Sequence, residues 1–266
     1  DRQGWSPQNA DGAFGGMLTV ETGLVQSRNT MTVRVGERAG IDTVLAMMEH
    51  AGLGEAERAN PTPPLYIGTV GANVRDLTSA YSAFATGGTR HLPFFIESVA
   101  DRDGTVLHRH ADEHYRVLSP GAAWLANKVL RKVVADGGTG AGLRQLGFDA
   151  PAGGKTGTTN DFHDAWFVGY TSRLSCGVWI GLDRPARIMD DAYGGRIAVP
   201  VWHDLMTKAR AVGYDFGEFP EPGEVIATEL CRYSGLLPGK VCGALGTAYV
   251  EEVPYDLIPR RFCDSH

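Results

Sequence analysis

The residues with the most chemical potential lie in two places. Lys155, Thr156, Thr158 and Thr159 set one cation among three hydroxyls, with Gly157 between them and Gly153-Gly154 in front. A cation beside hydroxyl donors suits a ligand that ends in a carboxylate. The second place is Ser27-Arg28-Asn29, which sets a hydroxyl and an amide on either side of an arginine. A hydroxyl accepts and donates at once, so it can hand a proton on. Gly154-Lys155-Thr156 also looks like the end of a phosphate-binding loop. That loop needs a glycine where Asp149 stands, and a helix after the threonine. The apolar runs that follow argue for strands instead.

Those runs are Ala165-Trp166-Phe167-Val168-Gly169-Tyr170 and Cys176-Gly177-Val178-Trp179-Ile180-Gly181-Leu182. Bounded by turn residues, they read as adjacent antiparallel strands, with Lys155-Thr156-Gly157-Thr158 as the edge of the sheet. An edge strand leaves backbone groups open to an extended peptide. Upstream, residues 1–16 read as an extended lead-in. Short helices are expected over 18–26, with Leu18, Leu24 and Val25 inward, and over 31–38. A third runs to Gly52 with Asp42 as its N-cap. Ser27-Arg28-Asn29 then sits in the bend between two helices. A further helix is expected over 74–85, ended by Gly87-Gly88. Residues 94–100 and 105–109 flank a hairpin turn at Asp101-Arg102-Asp103-Gly104. Ser119 and Pro120 are an N-cap and a first helical residue. From there an apolar period runs to Gly137, and a Gly-rich connection leads to Lys155. Residues 200–212 read as a last helix with Val201, Trp202, Leu205 and Met206 inward. The result is an α+β chain with helices packed on an antiparallel sheet.

A chain of 266 residues with 43% hydrophobic and 21% charged residues can bury a substantial core. The net charge of −6 argues against nucleic acid as a partner. No apolar run reaches the roughly 18 residues that a membrane span needs. The sequence starts at Asp1, which suggests a fragment or a processed product. No His-rich metal spacing occurs within residues 1–215, and His163 and His203 read as surface or packing residues. Thr159, Asp161 and Asp164 read as turn or ion-pair residues before a paired-carboxylate acid and base. Trp166 reads as a cleft wall or a core aromatic. Cys176 reads as a small core residue.

The two motifs, in this order and with strands after the second, resemble the later part of the transpeptidase domain of class A, bifunctional penicillin-binding proteins. That group has the penicillin-recognising serine transpeptidase fold, which is β-lactamase-like and carries S-x-x-K, S-x-N and K-T-G signatures. The likeness includes Trp5-Ser6-Pro7-Gln8-Asn9, residues 24–34, Gly68-Thr69, residues 155–171 and residues 178–183. It implies a peptidoglycan DD-transpeptidase that joins stem peptides ending in D-Ala-D-Ala through a serine acyl-enzyme, and that β-lactams acylate. It implies that Ser27 relays a proton and that Asn29 holds a substrate amide and the catalytic lysine. Lys155, Thr156 and Thr158 would hold the terminal carboxylate. The Thr158 N–H would face the oxyanion, Gly157 would admit the acyl group, and Thr159 would join Thr156, Gly157 and Thr158 in binding the substrate. Arg28 is expected to face away from the cleft. No cofactor is implied.

One signature is missing. The residues three positions before Lys128, Lys132, Lys155, Lys208 and Lys240 are Leu125, Val129, Ala152, Leu205 and Leu237, none of them serine. The family's order puts the nucleophile before Asp1, in a parent protein with an upstream glycosyltransferase domain and membrane anchor. Its working face would be extracytoplasmic (periplasmic). The alternatives are a carboxypeptidase or β-lactamase-like hydrolase of the same fold, or a non-catalytic fragment.

The expected boundary of the transpeptidase portion is 1–215. Residues 216–223 read as a linker, and residues 224–266 as a turn-rich tail too small for a core of its own. That tail holds Cys231, Cys242 and Cys263. Outside the cytoplasm a Cys231–Cys242 disulfide is the first expectation. A zinc site of Cys231, Cys242, Cys263 and His266 is the alternative.

Overall fold

The computed structural model describes residues 4–54 and 60–264. Three short helices open the fold: α1 (Val20–Val25), α2 (Asn29–Ala39) and α3 (Ile41–His50). Thr19 caps α1 by accepting from the Thr22 N–H at 3.0 Å. The expected cap of α3 is corrected. Gly40, at φ 89°, occupies the N-cap, and Asp42 falls in the first turn. Gly40 alone separates the helical spans that end at Ala39 and start at Ile41, so the bend needs a positive φ, which glycine adopts freely. α2 also starts two residues earlier than expected, at Asn29 itself.

A 3-10 turn at Pro63–Ile67 leads to α4 (Val74–Ala85), whose N-cap Asn73 accepts from the Asp76 N–H at 2.8 Å. Four short strands follow: β1 (Thr89–His91), β2 (Ser98–Ala100), β3 (Val106–Arg109) and β4 (His114–Arg116). β2 and β3 form the expected hairpin, exposed along its length. β1 pairs with β4 around it. Next come α5 (Pro120–Val133), capped by Ser119 as its sequence implies, and α6 (Gly142–Gln145). The Gly-rich connection expected after α5 thus contains a helical turn.

The main sheet is β5 (Gly153–Thr158), β6 (Asp164–Tyr170) and β7 (Ser175–Gly181), antiparallel in that order, with β5 at the edge. α7 (Gly194–Ala211) covers one face. It begins six residues before the expected start, so Pro200 lies inside it. Trp202 and Met206 are buried as expected. Val201 and Leu205, expected inward, are about half exposed, at 49% and 47%. The earlier start explains the difference: it is Ala198 and Val199 that complete the inward stripe.

β6 is buried from both sides, which makes it a continuous apolar run rather than an alternating one. On one face Phe167 meets Trp202 of α7 edge-on, within a core of Val134, Leu143, Phe148 and Met206. On the other, Tyr170 stacks on Phe84 of α4 and donates to Asn127 of α5 at 3.1 Å. Residues 216–223 are not loose. Phe216 is buried in the first core, and Phe219 packs edge-on against Tyr170 in the second. The chain then forms a last hairpin, β8 (Val225–Cys231) with β9 (Ala248–Pro254). It is tied to α5 by Lys128, which donates to Glu251 at 2.8 Å.

Candidate active site

Two features of the chain deliver Ser27 to β5. The first is how α1 ends. The Ser27 N–H donates to the Leu24 carbonyl at 3.1 Å and the Arg28 N–H to the Gly23 carbonyl at 2.7 Å. That pair of bonds is a Schellman ending, whose left-handed position is usually glycine. Here it is Ser27, at φ 54°. The second is strand alternation. Side chains point to opposite faces in turn, so Lys155 lies on the face opposite to Thr156 and Thr158. Lys155 is the register partner of Val168, and Thr156 that of Phe167.

The two meet. Lys155 Nζ donates to Ser27 Oγ at 2.7 Å, across 128 residues of sequence, and to the Thr156 carbonyl at 3.0 Å. Burial disfavours the ammonium and brings the Lys155 pKa down to about 8. Ser27, Asn29, Thr156 and Thr158 share one cleft of about 340 Å³. Asn29 opens α2 and donates through Nδ2 to the Gln8 carbonyl at 2.7 Å. Asn9 is buried and accepts from the Thr30 N–H at 3.4 Å. The lead-in thus forms one wall.

Arg28, expected to face away, borders the cleft. The Schellman turn throws it toward the lead-in, where Nη1 meets Asp11 at 2.6 Å. The Asp11 carboxyl lies below its usual range, first through the Ala13 N–H and then through Arg28. Gly157 faces Trp166 across the sheet, and Trp166 lies beside Trp179 with rings 6.2 Å apart. Thr159 and Asp164 close the β5–β6 turn. Thr159 Oγ1 donates to Asp164 at 3.1 Å and accepts from the Asp164 N–H at 2.8 Å. Trp179 Nε1 also donates to Asp164, at 2.8 Å, and Asp161 sits in the turn at φ 58°. Another cavity of about 450 Å³, lined by Phe14, Met17, Leu18 and Met31, contains neither Ser27 nor Lys155.

Thr139, Tyr193 and Gly195, like Ala10 and Asp11 of the lead-in, line the cleft and were not read from the sequence. Thr139 lies in the Gly-rich connection, and its Oγ1 is 2.7 Å from Thr156 Oγ1. Tyr193 and Gly195 line the opposite side at the start of α7. Gly194 donates its N–H to Thr158 Oγ1 at 3.0 Å. A Cβ on Gly194 would run into the Trp166 carbonyl, so only glycine lets α7 start this close to the strand. The signal available was a Gly-Gly pair just ahead of an apolar period.

The tail cysteines converge as well. Cys231, Cys242 and Cys263 are buried thiols with sulfurs within 4.8 Å of one another. No disulfide joins Cys231 to Cys242 in the structure, and a third sulfur shares their site. His266 lies outside the described residues. A second cluster is formed by residues that no local spacing in the sequence links. His91, Asp112 and His114 have ligand atoms within 4.8 Å of one another, because β1 and β4 pair His91 with His114. Strand pairing rather than local spacing unites them.

A model of the penicillin binding protein transpeptidase domain matches residues 1–207. Penicillin-binding protein 1A of Aquifex aeolicus (strain VF5) is 33% identical over 247 residues, which is 93% of this chain and 33% of that protein. The chain therefore spans about a third of that relative's length. By fold it is similar to penicillin-binding protein 1A from Haemophilus influenzae, with TM-score 0.82 and 22% identity over 97% of this chain and 43% of that one. It is also similar to the PonA1 protein from Mycobacterium tuberculosis in complex with penicillin V, with TM-score 0.65 and 23% identity. That match covers 82% of this chain and 62% of the other.

Proposed function

The chain belongs to the penicillin-binding protein transpeptidase family, and from that premise we propose that it cross-links peptidoglycan stem peptides as part of a class A cell-wall synthase. The single observation that carries the reading is the 2.7 Å bond from Lys155 to Ser27, a serine that lines one cleft with Asn29, Thr156 and Thr158.

The reaction needs a serine nucleophile, which we assign to a Ser-x-x-Lys segment outside residues 1–266. Its hydroxyl attacks the carbonyl between two D-alanines, and the neighbouring lysine takes the proton. The amide C–N bond breaks. Ser27 hands a proton to the departing D-alanine amine, for which its place beside Lys155 suits it. The amine of a second stem peptide then attacks the ester. The serine leaves with its proton restored, and the new amide is the cross-link. Lys155 and the hydroxyls of Thr156 and Thr158 hold the terminal carboxylate. Asn29 bonds a substrate amide. The Thr158 N–H faces the oxyanion, where one donor is worth about 3–4 kcal/mol. A β-lactam enters as the first substrate and remains as the acyl-enzyme.

In this reading residues 1–215 are the transpeptidase portion and 216–266 a strap and tail. A glycosyltransferase domain and a membrane anchor lie elsewhere in the parent protein, which works on the outer side of the cytoplasmic membrane. Among the described residues no helix is long and apolar enough to cross a membrane.

The test is a fluorescent penicillin. A protein that includes the Ser-x-x-Lys segment is expected to form a denaturation-resistant adduct, and Lys155→Ala to slow its formation at least a hundredfold. Residues 1–266 alone are expected to form none. An adduct mapped to Ser27 would overturn its role as a proton relay and make it the nucleophile.

A further inference from the structure

We propose that the C-terminal tail is a structural zinc site, with Cys231, Cys242 and Cys263 as thiolate ligands. This centre stands apart from the transpeptidase chemistry, since none of the three cysteines lines the cleft of Ser27, Thr156 and Thr158.

The cysteines come from three separate segments. Cys231 ends β8, Cys242 lies in the turns between β8 and β9, and Cys263 follows the last 3-10 turn. Each backbone is tied to the others' segments. The Cys231 N–H donates to the Leu236 carbonyl at 2.8 Å, and the Thr247 N–H to the Cys242 carbonyl at 3.0 Å. The Cys263 N–H donates to the Leu237 carbonyl at 2.7 Å. The sulfurs that this frame delivers lie within 4.8 Å of one another. Tetrahedral zinc with Zn–S bonds of about 2.3 Å needs sulfurs roughly 3.8 Å apart, so a small inward adjustment completes the geometry.

Two further observations favour a metal over a disulfide. A disulfide consumes two of the sulfurs and leaves a third buried beside them, whereas a metal takes all three alike. Cys242 Sγ is also served by a backbone donor in a turn, the Gly239 N–H at 3.1 Å. Among the described residues the tail buries few large apolar side chains, chiefly Leu230 and Val253 of its hairpin, and the cluster at its turns is these three cysteines. A segment this small with so little apolar burial is held by a covalent or metal staple. Three thiolate donors select zinc among the common divalent ions.

The experiment is elemental analysis of the 266-residue protein purified without chelator or oxidant, with thiols counted before and after chelation. We expect about one zinc per chain, and three thiols that resist alkylation until the zinc is stripped. Cobalt(II) reconstitution is expected to give sulfur-to-cobalt charge-transfer absorption, which Cys242→Ser abolishes. Cys263→Ser is expected to weaken zinc retention at least tenfold. A Cys231–Cys242 disulfide mapped by peptide mass spectrometry in the wild-type protein would overturn the proposal. So would wild-type protein that stays zinc-free after dialysis against zinc. Both readings use the native chain, so a variant that fails to fold leaves the test intact.

Discussion

At the scale of residues, the site rests on two that are held against their preferences. Ser27 occupies a left-handed position, which costs a non-glycine residue about 1–2 kcal/mol. Replacing it with glycine or alanine removes the same hydroxyl, but only glycine relieves the backbone. Ser27→Gly is therefore expected to exceed Ser27→Ala in stability by about 1 kcal/mol in urea denaturation. Both are expected to acylate a hundredfold or more slowly in the parent protein. Lys155 is held against its preference for water. Its free pKa is 10.5, and burial lowers it to about 8. Below pH 8 the folded protein carries the ammonium. As pH climbs through 8 the charge is lost, and affinity for a carboxylate ligand is expected to fall about tenfold per unit. Between pH 8 and 10.5 the unfolded chain binds the extra proton, so this one group makes the fold more stable as pH rises. Titration of ligand affinity checks the first effect, and Lys155→Arg is expected to carry binding to higher pH. Affinity that stayed level from about pH 7 to 10 would remove Lys155 from the carboxylate site. The two motifs were legible because their residue types are rare in that order. Thr139 was not, because nothing in its Gly-rich surroundings marks a hydroxyl that meets Thr156 only through the fold.

At the scale of elements, the start of α7 decides the width of the cleft. Alanine normally beats glycine in a helix by about 1 kcal/mol. At position 194 the sign reverses, since the added methyl meets the Trp166 carbonyl. Gly194→Ala is expected to destabilise by about 1–3 kcal/mol. It is also expected to weaken carboxylate binding, by moving the donor to Thr158, although residue 194 contributes no side chain. Calorimetry and a binding titration measure the two separately. This same element shows why the reading from sequence fell short. Pro200 has the look of a first helical residue, and it masked a start at two glycines of poor helix propensity. Helix α5 was legible because Ser119-Pro120 caps it and an apolar period follows. The β5–β6–β7 sheet was legible from apolar runs set off by turns. The β1–β4 pair was not, since two three-residue strands far apart in sequence carry no pattern.

At the scale of the molecule, α5 connects the ends of the chain. Lys132 on it meets Glu21 of α1 at 2.6 Å, and Lys128 meets Glu251 of β9 at 2.8 Å. Exposed pairs of this kind contribute little singly. The stronger tie is Phe219, packed against Tyr170 with Arg131 over its ring at 5.5 Å. Phe219→Ala is expected to cost about 3–5 kcal/mol. It is also expected to open residues 216–223 to proteolysis ahead of the β5–β6–β7 sheet, read by limited digestion and mass spectrometry. The α+β architecture was legible from the order of periodic segments. The packing of residues 216–223 was not, because Pro and Gly around two phenylalanines read as a linker until Tyr170 is seen waiting beneath.

Two hydroxyls of this cleft are supplied with a hydrogen from behind. Ser27 Oγ receives one from Lys155, and Thr158 Oγ1 receives one from the Gly194 N–H. With one acceptor position engaged, each keeps its own hydrogen for whatever enters. The unliganded wall therefore already has a polarity: it offers an anion two O–H groups set in place before binding.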